Sequence, residues 1–175
     1  WGVTHVEHHF HSEGLEISPH PGLLNLYLGM QTDRIRLGQM GYTVPSHDPI
    51  RLAEEIAILD HMLQGRFFVG MARGYQARWQ NTLAQKFDAP VAAVGDPDKE
   101  EQDQQNREIF QDNYRIMKKA WTQDAITHDS EYYQIPGSNG DTPWPPEETT
   151  RKYGAPGELD EEGHVQKVSV VPKPY

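Results

Sequence analysis

Histidines gather near the start of the chain, where their side chains could transfer protons near neutral pH. Four of the nine histidines fall within seven positions: His5, His8, His9 and His11. Imidazole changes its charge close to physiological pH and is the commonest general acid or base in enzymes. An isolated histidine often only caps a loop, but a Glu-His-His run at a strand end favours chemistry. We therefore interpret Glu7 to His11 as one part of a functional site.

Two glycine-containing pairs further along the chain could contact a ligand. Arg73 precedes Gly74, and a planar guanidinium suits phosphate or carboxylate while glycine lets a ligand approach the backbone. A structural salt bridge is the other interpretation of Arg73, and these residues alone do not decide between the two. Met40-Gly41 offers an adaptable apolar surface and a permissive backbone, although core packing also explains this pair.

These three groups lie where predicted strands end. Apolar runs predict strands over 1–8, 33–41 and 66–72, and helical spacing predicts helices over 18–31, 49–63 and about 104–122. Two shorter strands are predicted over 132–135 and 165–171. Alternating strands and helices predict an α/β fold with a parallel sheet, either doubly wound or a TIM barrel. Ligands of such sheets bind at the carboxyl ends of the strands, so the three groups should share one mouth.

The predicted helices also carry expected caps and faces. Ser18 and Asp48 are the expected N-caps of the first two helices, with Pro49 at the first helical position. The first helix is expected to pack through an apolar face made of Leu23, Leu26, Tyr27 and Met30.

Composition excludes several classes of partner. The 175 residues have a formal net charge of −10 and contain no cysteine. An acidic chain is unsuited to nucleic acid or anionic membranes, which need clustered Lys and Arg. The absence of cysteine excludes disulfides and thiolate chemistry, and no apolar run approaches the roughly 20 residues of a membrane span. We expect a soluble, cytoplasmic protein with no nucleic-acid or membrane partner.

Taken in order, several segments of the chain resemble the bacterial-luciferase-like flavin-dependent monooxygenases. The segments are Glu7-His8-His9-Phe10, the stretch 33–38, the stretch 48–55, Gly65-Arg66-Phe67 and the stretch 70–74. Several spaced motifs in one order are far more specific than any one of them.

The resemblance implies a TIM (β/α)8 barrel that binds reduced FMN. In this family the flavin reacts with O2 to give a C4a-hydroperoxide, which oxygenates a small organic substrate, and the protein orients and shields the flavin. By resemblance His8 is the catalytic residue. The residues implied in cofactor binding are Glu7, Met40, Gly41, Arg73, Gly74 and Tyr75, and those implied in substrate binding are His9, Phe10 and His11.

The resemblance also implies finer details and partners. Met40-Gly41 matches a non-prolyl cis peptide bond beneath the flavin ring, and Arg73 matches an arginine near the flavin phosphate. A flavin reductase would supply the reduced FMN. A deazaflavin variant of the site, the identity of the substrate, light emission and the formation of a homo-oligomer are left open by the sequence.

The resemblance covers part of a barrel, which has eight strand–helix units and about 250 residues. Residues 1–121 would form its N-terminal part, from the second strand to the fourth helix, and residues 122–175 an excursion of loops and short strands towards the fifth. The barrel would be incomplete at both ends. We therefore expect uncovered sheet edges and weak or absent flavin binding by the isolated chain, and an inactive fragment is one alternative.

A metal-dependent hydrolase on a TIM barrel is the other alternative. His5, Glu7 and His9 alternate along the first predicted strand, so their side chains would share one face and could bind zinc, with His8 as a proton shuttle. This hypothesis leaves Arg73-Gly74 and Met40-Gly41 unexplained.

Overall fold

A three-stranded parallel sheet forms the centre of the computed structural model, which describes residues 1–12, 18–137 and 141–175. Its strands β1 (Gly2–His5), β2 (Arg36–Thr43) and β3 (Phe67–Ala72) lie side by side in chain order. The helices α1 (Pro21–Met30) and α2 (Pro49–Met62) connect them. The predicted α/β fold with parallel strands is confirmed. We call the edge that follows His5, Thr43 and Ala72 the strand-end edge.

The first helix begins later than its predicted cap. His20 is the N-cap of α1, since its Nδ1 accepts a hydrogen bond from the Leu23 N–H at 3.4 Å, and Pro21 follows in the first turn. The predicted cap at Ser18 was wrong. Proline has a backbone angle suited to the first turn of a helix, so Pro21 sets the start.

The packed face of α1 also differs from the predicted one. Gly22, Asn25 and Gly29 are buried, whereas Leu23, Tyr27 and Met30 are 61%, 64% and 74% exposed. A Cβ at Gly29 would collide with the side chain of Leu63, so the glycines let α1 approach the sheet and α2 closely. Close approach through small residues therefore sets the orientation of this helix, and the predicted apolar face was wrong.

The second helix confirms its prediction closely. Asp48 is its N-cap, with Oδ1 accepting hydrogen bonds from the N–H groups of Ile50 and Arg51. The helix buries Leu52, Ala53, Ile56, Ala57 and Leu59.

Two further helices follow β3. The short helix α3 (Ala77–Leu83) was not predicted, because its sequence lacks an apolar period. The long helix α4 (Lys99–Thr122) begins earlier than the predicted residue 104, with Glu100 and Glu101 in its first turn, where acidic side chains favour a helix start. Within the described residues, every helix is too short or too polar to cross a membrane.

The last third of the chain packs onto the same core. A hairpin of β4 (His128–Asp129) and β5 (Gln134–Ile135) is followed by the short helix α5 (Glu147–Tyr153). Ile126, Ile135 and Val170 join the core between α2 and α4. The prediction of a strand at 132–135 is confirmed over two residues. The predicted strand at 165–171 was wrong, because Val168 forms only an isolated bridge with Ile126.

Candidate active site at the strand-end edge

The buried carboxylate of Glu7 joins the end of β1 to the end of β2. Glu7 is 3% exposed. Its Oε2 accepts a hydrogen bond from the Thr43 N–H at 2.7 Å. Its Oε1 lies 2.9 Å from His9 Nε2 and 2.8 Å from His47 Nε2. Two loops of the strand-end edge therefore meet at one carboxyl group.

The Glu7 carboxyl is ionised at neutral pH despite its burial. Burial alone would raise its pKa, but hydrogen bonds from His47, His9 and the Thr43 N–H outweigh this and lower the pKa to about 2. Burial likewise tends to lower the pKa of His47, yet the hydrogen bond to Glu7 and the nearby Glu7 and Glu55 charges raise it above 6.5. The contact with Glu7 therefore favours the protonated form of His47.

His8 lies among aromatic rings at the same edge. Its ring centroid is 5.3 Å from that of His11, 6.2 Å from that of Trp79 and 6.4 Å from that of Tyr75. Burial and the neighbouring His11 and His9 lower the pKa of His8 below 6.5. The imidazole is therefore neutral at pH 7 and can accept a proton.

The other predicted substrate residues lie beside His8. The ring of His9 is 5.7 Å from that of Trp79 and 6.0 Å from that of Phe10. Phe10 is 51% exposed and has a φ of 60°, an uncommon backbone conformation for a residue other than glycine. This part of the edge therefore combines imidazoles with an exposed apolar ring.

Met40 and Gly41 form a bulge in β2. The register between β2 and β3 shifts between Gln39 and Tyr42, and Met40 is 60% exposed. The cis peptide bonds of the described residues are Ile135–Pro136 and Val171–Pro172, so the cis bond implied for Met40-Gly41 was wrong. A non-prolyl cis bond costs about 3 kcal/mol. Here β2 instead has a bulge, and its peptide bonds are trans.

Arg73 forms a salt bridge rather than pointing freely into solvent. Its Nη1 lies 2.9 Å from Asp103 Oδ1, and the side chains of Arg73 and Asp103 are 35% and 48% exposed. The next residue, Gly74, has a φ of +79°, and a Cβ there would lie 2.5 Å from Gln80 Oε1. Tyr75 is 71% exposed. The turn after β3 thus needs glycine and carries an exposed cation and phenol.

Three site residues were missed from the sequence. They are His47, which binds Glu7, and Trp79 and Gln80, which are 1% and 0% exposed. Gln80 Oε1 accepts a hydrogen bond from Ser46 Oγ at 2.9 Å. His47 could have been identified, because it lies in the loop after a strand of a parallel sheet, where ligands bind. Trp79 and Gln80 lie on α3, which had no sequence signal of its own.

The proposed metal site is not formed. His5 Nδ1 lies 2.9 Å from Asn25 Oδ1 of α1, whereas His9 binds Glu7, so the three supposed ligands do not converge. No group of three or more His, Asp or Glu side chains in the described residues could hold a metal ion. The hydrolase alternative is therefore not favoured, because these side chains form hydrogen bonds to one another and to α1 instead.

A second His-Asp cluster lies outside the strand-end edge and is structural. His128 Nε2 is 3.0 Å from Asp112 Oδ1, and Ser130 Oγ donates to Asp112 Oδ2 at 2.7 Å. The serine and the imidazole both bind the carboxylate, so the imidazole does not activate the serine as a catalytic triad would require. These hydrogen bonds connect the β4–β5 hairpin to α4.

Comparison with known proteins identifies relatives of this chain. The profile of the luciferase-like monooxygenase family matches residues 2–156. The chain is 28% identical over 131 residues to 3,6-diketocamphane 1,6-monooxygenase of Pseudomonas putida, covering 70% of this chain and 33% of that protein. It is 33% identical over 131 residues to the alkanal monooxygenase alpha chain of Aliivibrio fischeri, covering 75% of this chain and 32% of that protein.

Solved structures show the same fold. The oxygenating constituent of 3,6-diketocamphane monooxygenase from Pseudomonas putida, solved in complex with FMN, superposes with a TM-score of 0.62 at 22% identity, covering 98% of this chain and 39% of that one. A monooxygenase from Streptomyces bottropensis gives a TM-score of 0.60 at 22% identity, covering 76% of this chain and 35% of that one. The chain spans about a third of the length of the curated relatives it matches.

Proposed function

The chain belongs to the luciferase-like monooxygenase family, and on that premise we propose that its strand-end edge is part of the reduced-FMN and substrate site of a TIM-barrel monooxygenase. The observation that carries this proposal is the shared position of three groups at one edge of the sheet. Glu7 to His11, Met40-Gly41 and Arg73-Gly74 lie at or near the ends of three adjacent parallel strands, the edge at which such sheets bind ligands.

The bulge in β2 fits a flat aromatic ring. Gly41 and Gly70 carry no side chain there, and a Cβ at Gly70 would lie within about 3 Å of the Gln39 and Met40 backbone. Met40 is exposed beside them, and its thioether can pack against a ring system. These features support a flavin ring lying over Met40-Gly41.

The turn after β3 fits the flavin phosphate. Arg73 is an exposed cation, and its planar fork can bind a phosphate with two hydrogen bonds. Its partner Asp103 is about half exposed, and exposed ion pairs contribute at most about 1 kcal/mol. Replacing the Asp103 carboxylate by a phosphate therefore costs little free energy. Gly74 and Tyr75 complete this part of the site.

The imidazoles and Phe10 serve the substrate. Reduced FMN, when bound, supplies the electrons with which one atom of O2 enters the substrate and the other leaves as water. His8 is neutral at pH 7 and acts as the proton acceptor and donor beside the substrate. His9, Phe10 and His11 line the space next to it. A flavin reductase provides the reduced FMN in the cell.

Isotope labelling tests this function. The complete barrel protein proposed here would be incubated with reduced FMN, 18O2 and either an alkanal or 3,6-diketocamphane, the compounds named in its relatives. We expect product with one 18O atom from the wild-type protein and from the control His61→Ala, whose histidine is exposed on α2. His8→Ala should lose turnover. Unchanged labelling in His8→Ala would contradict the role of His8.

A further inference from the structure

One carboxylate oxygen is shared by two imidazoles at the strand-end edge. Oε1 of Glu7 lies within hydrogen-bond distance of both His9 Nε2 and His47 Nε2. An ionised carboxylate can only accept hydrogen bonds. Both histidines must therefore carry a proton on Nε2, and Glu7 fixes the tautomer of either ring when that ring is neutral.

The fixed tautomer determines what His9 offers to a ligand. A neutral imidazole with its proton on Nε2 has a free acceptor lone pair on Nδ1. In the described part of the chain, His9 Nδ1 has no hydrogen-bond partner, and the His9 side chain is 16% exposed. Its ring lies near those of Trp79 and Phe10. Nδ1 of His9 therefore remains available to accept a hydrogen bond from a ligand.

His47 supplies the charge that balances Glu7. The groups that face His47 are Glu7 from the end of β1, Glu55 from α2 and the ring of Tyr42 from β2, at 5.9 Å and edge-on. Tyr42 in turn donates its hydroxyl hydrogen bond to Glu55 at 3.0 Å. Two carboxylates thus favour a positive His47.

We propose that Glu7 and His47 are positioning residues that hold His9 as its Nε2–H tautomer and so direct its Nδ1, as a hydrogen-bond acceptor, at an N–H or O–H group of the bound ligand. That this ligand is the flavin or its substrate rests on the proposed function. The tautomer itself does not, since it is set by protein groups alone.

The tautomer can be read directly by NMR. In protein labelled with 15N-histidine, the two ring nitrogens of neutral His9 have distinct shifts according to which one bears the proton. Above pH 8 and without ligand, we expect a protonated Nε2 and an unprotonated Nδ1 for His9. A proton on Nδ1 of wild-type His9 would overturn the proposal.

Glu7→Gln should invert this tautomer. The Thr43 N–H can only donate, so the oxygen of the new amide must face Thr43 and its NH2 group must face the imidazoles. The neutral rings of His9 and His47 must then present unprotonated Nε2 atoms. We therefore expect the His9 proton to move to Nδ1, and an unchanged tautomer would contradict the proposal.

His47→Gln removes the ionisable group at this position but keeps a hydrogen-bond donor. The glutamine amide can still donate to Glu7, so His9 should keep its Nε2 proton. Loss of the Nε2 proton of His9 in this variant would contradict the proposal. His61→Gln, on the exposed side of α2, should leave the His9 tautomer unchanged as well. If Glu7→Gln fails to fold, the His9 tautomer in the wild type and in His47→Gln still tests the proposal.

The proposed function can fail separately. A complete barrel protein with the expected His9 tautomer that does not bind reduced FMN would contradict the function and leave the positioning of His9 intact. A protein that binds reduced FMN but has the opposite His9 tautomer would contradict the positioning of His9 and leave the proposed function intact.

Discussion

Arg73 Nη1 lies 2.9 Å from Asp103 Oδ1, so the arginine that follows β3 is paired with a carboxylate on α4. Asp103 also binds Arg107 one helical turn away, and these two cations lower its pKa, Arg73 being the larger cause. A phosphate that binds Arg73 must therefore replace Asp103 or share the guanidinium with it.

Removing Asp103 should strengthen FMN binding. Asp103→Asn frees the guanidinium and removes a negative charge near the proposed phosphate position. Since exposed ion pairs contribute at most about 1 kcal/mol, we expect the dissociation constant of FMN to fall by up to about fivefold, measured by flavin fluorescence. Glu100→Gln makes the same charge change in the first turn of α4 and is the control. Equal effects of the two variants would show that Asp103 does not compete for Arg73.

Glu7 should make the protein sensitive to acid. Its pKa is about 2 in the folded protein against an ordinary value of 4.5. A lowered pKa stabilises the fold above the unfolded value, and this stability is lost as pH falls from 4.5 towards 2. The shift corresponds to about 3 kcal/mol. Urea unfolding should show that Glu7→Gln is less stable at pH 7 and loses less stability across this range, whereas the exposed control Glu101→Gln behaves as wild type. A parallel loss in Glu7→Gln and wild type would contradict this account.

His47 should have the opposite pH dependence. Its pKa is raised above 6.5 in the folded protein, so its contribution is fully present below 6.5 and is lost as pH rises through the folded value. Each unit of upward shift corresponds to about 1.4 kcal/mol. We expect the free energy of unfolding of the wild type to decrease between pH 6 and pH 9 by an amount that is absent in His47→Gln. His61→Gln serves as the control, and it should retain the decrease.

The turn after β3 should not tolerate a side chain at Gly74. Gly74 and Gly95 both have positive φ, but a Cβ at Gly74 would meet Gln80 and Thr43, whereas one at Gly95 has nothing within 4 Å among the described residues. Gly95→Ala therefore measures the backbone strain alone, about 1 kcal/mol. Gly74→Ala should cost about 1–3 kcal/mol more because of the collision, measured by urea unfolding. Equal losses would mean that Gln80 does not pack against this turn.

The sequence predicted the elements that depend on local signals. The apolar runs of β1 and β3 and the Asp48-Pro49 start of α2 each carry their own signal. The position of Glu7 to His11 and of Arg73-Gly74 at one edge of the sheet also followed, because strands that alternate with helices form parallel sheets.

Features that depend on contacts distant in the chain could not be predicted. The orientation of α1 follows from Gly29 packing against Leu63, and the partner of Arg73 lies on a helix 30 residues away in sequence. The pairing of His47 with Glu7 spans 40 residues. Hydropathy patterns report which residues are apolar, and they do not report which polar groups will meet.

Anaerobic titration of reduced FMN into the complete barrel protein and two matched arginine variants tests the strand-end site most directly. Arg73→Gln alters the strand-end edge, whereas Arg34→Gln makes the same change at an exposed position just before β2, at the opposite edge of the sheet. Loss of a phosphate-binding arginine should weaken binding at least tenfold, since hydrogen bonds between charged groups contribute about 1.5–3 kcal/mol. We predict this loss in Arg73→Gln and wild-type affinity in Arg34→Gln; equal affinities in the two variants would contradict a flavin site at this edge.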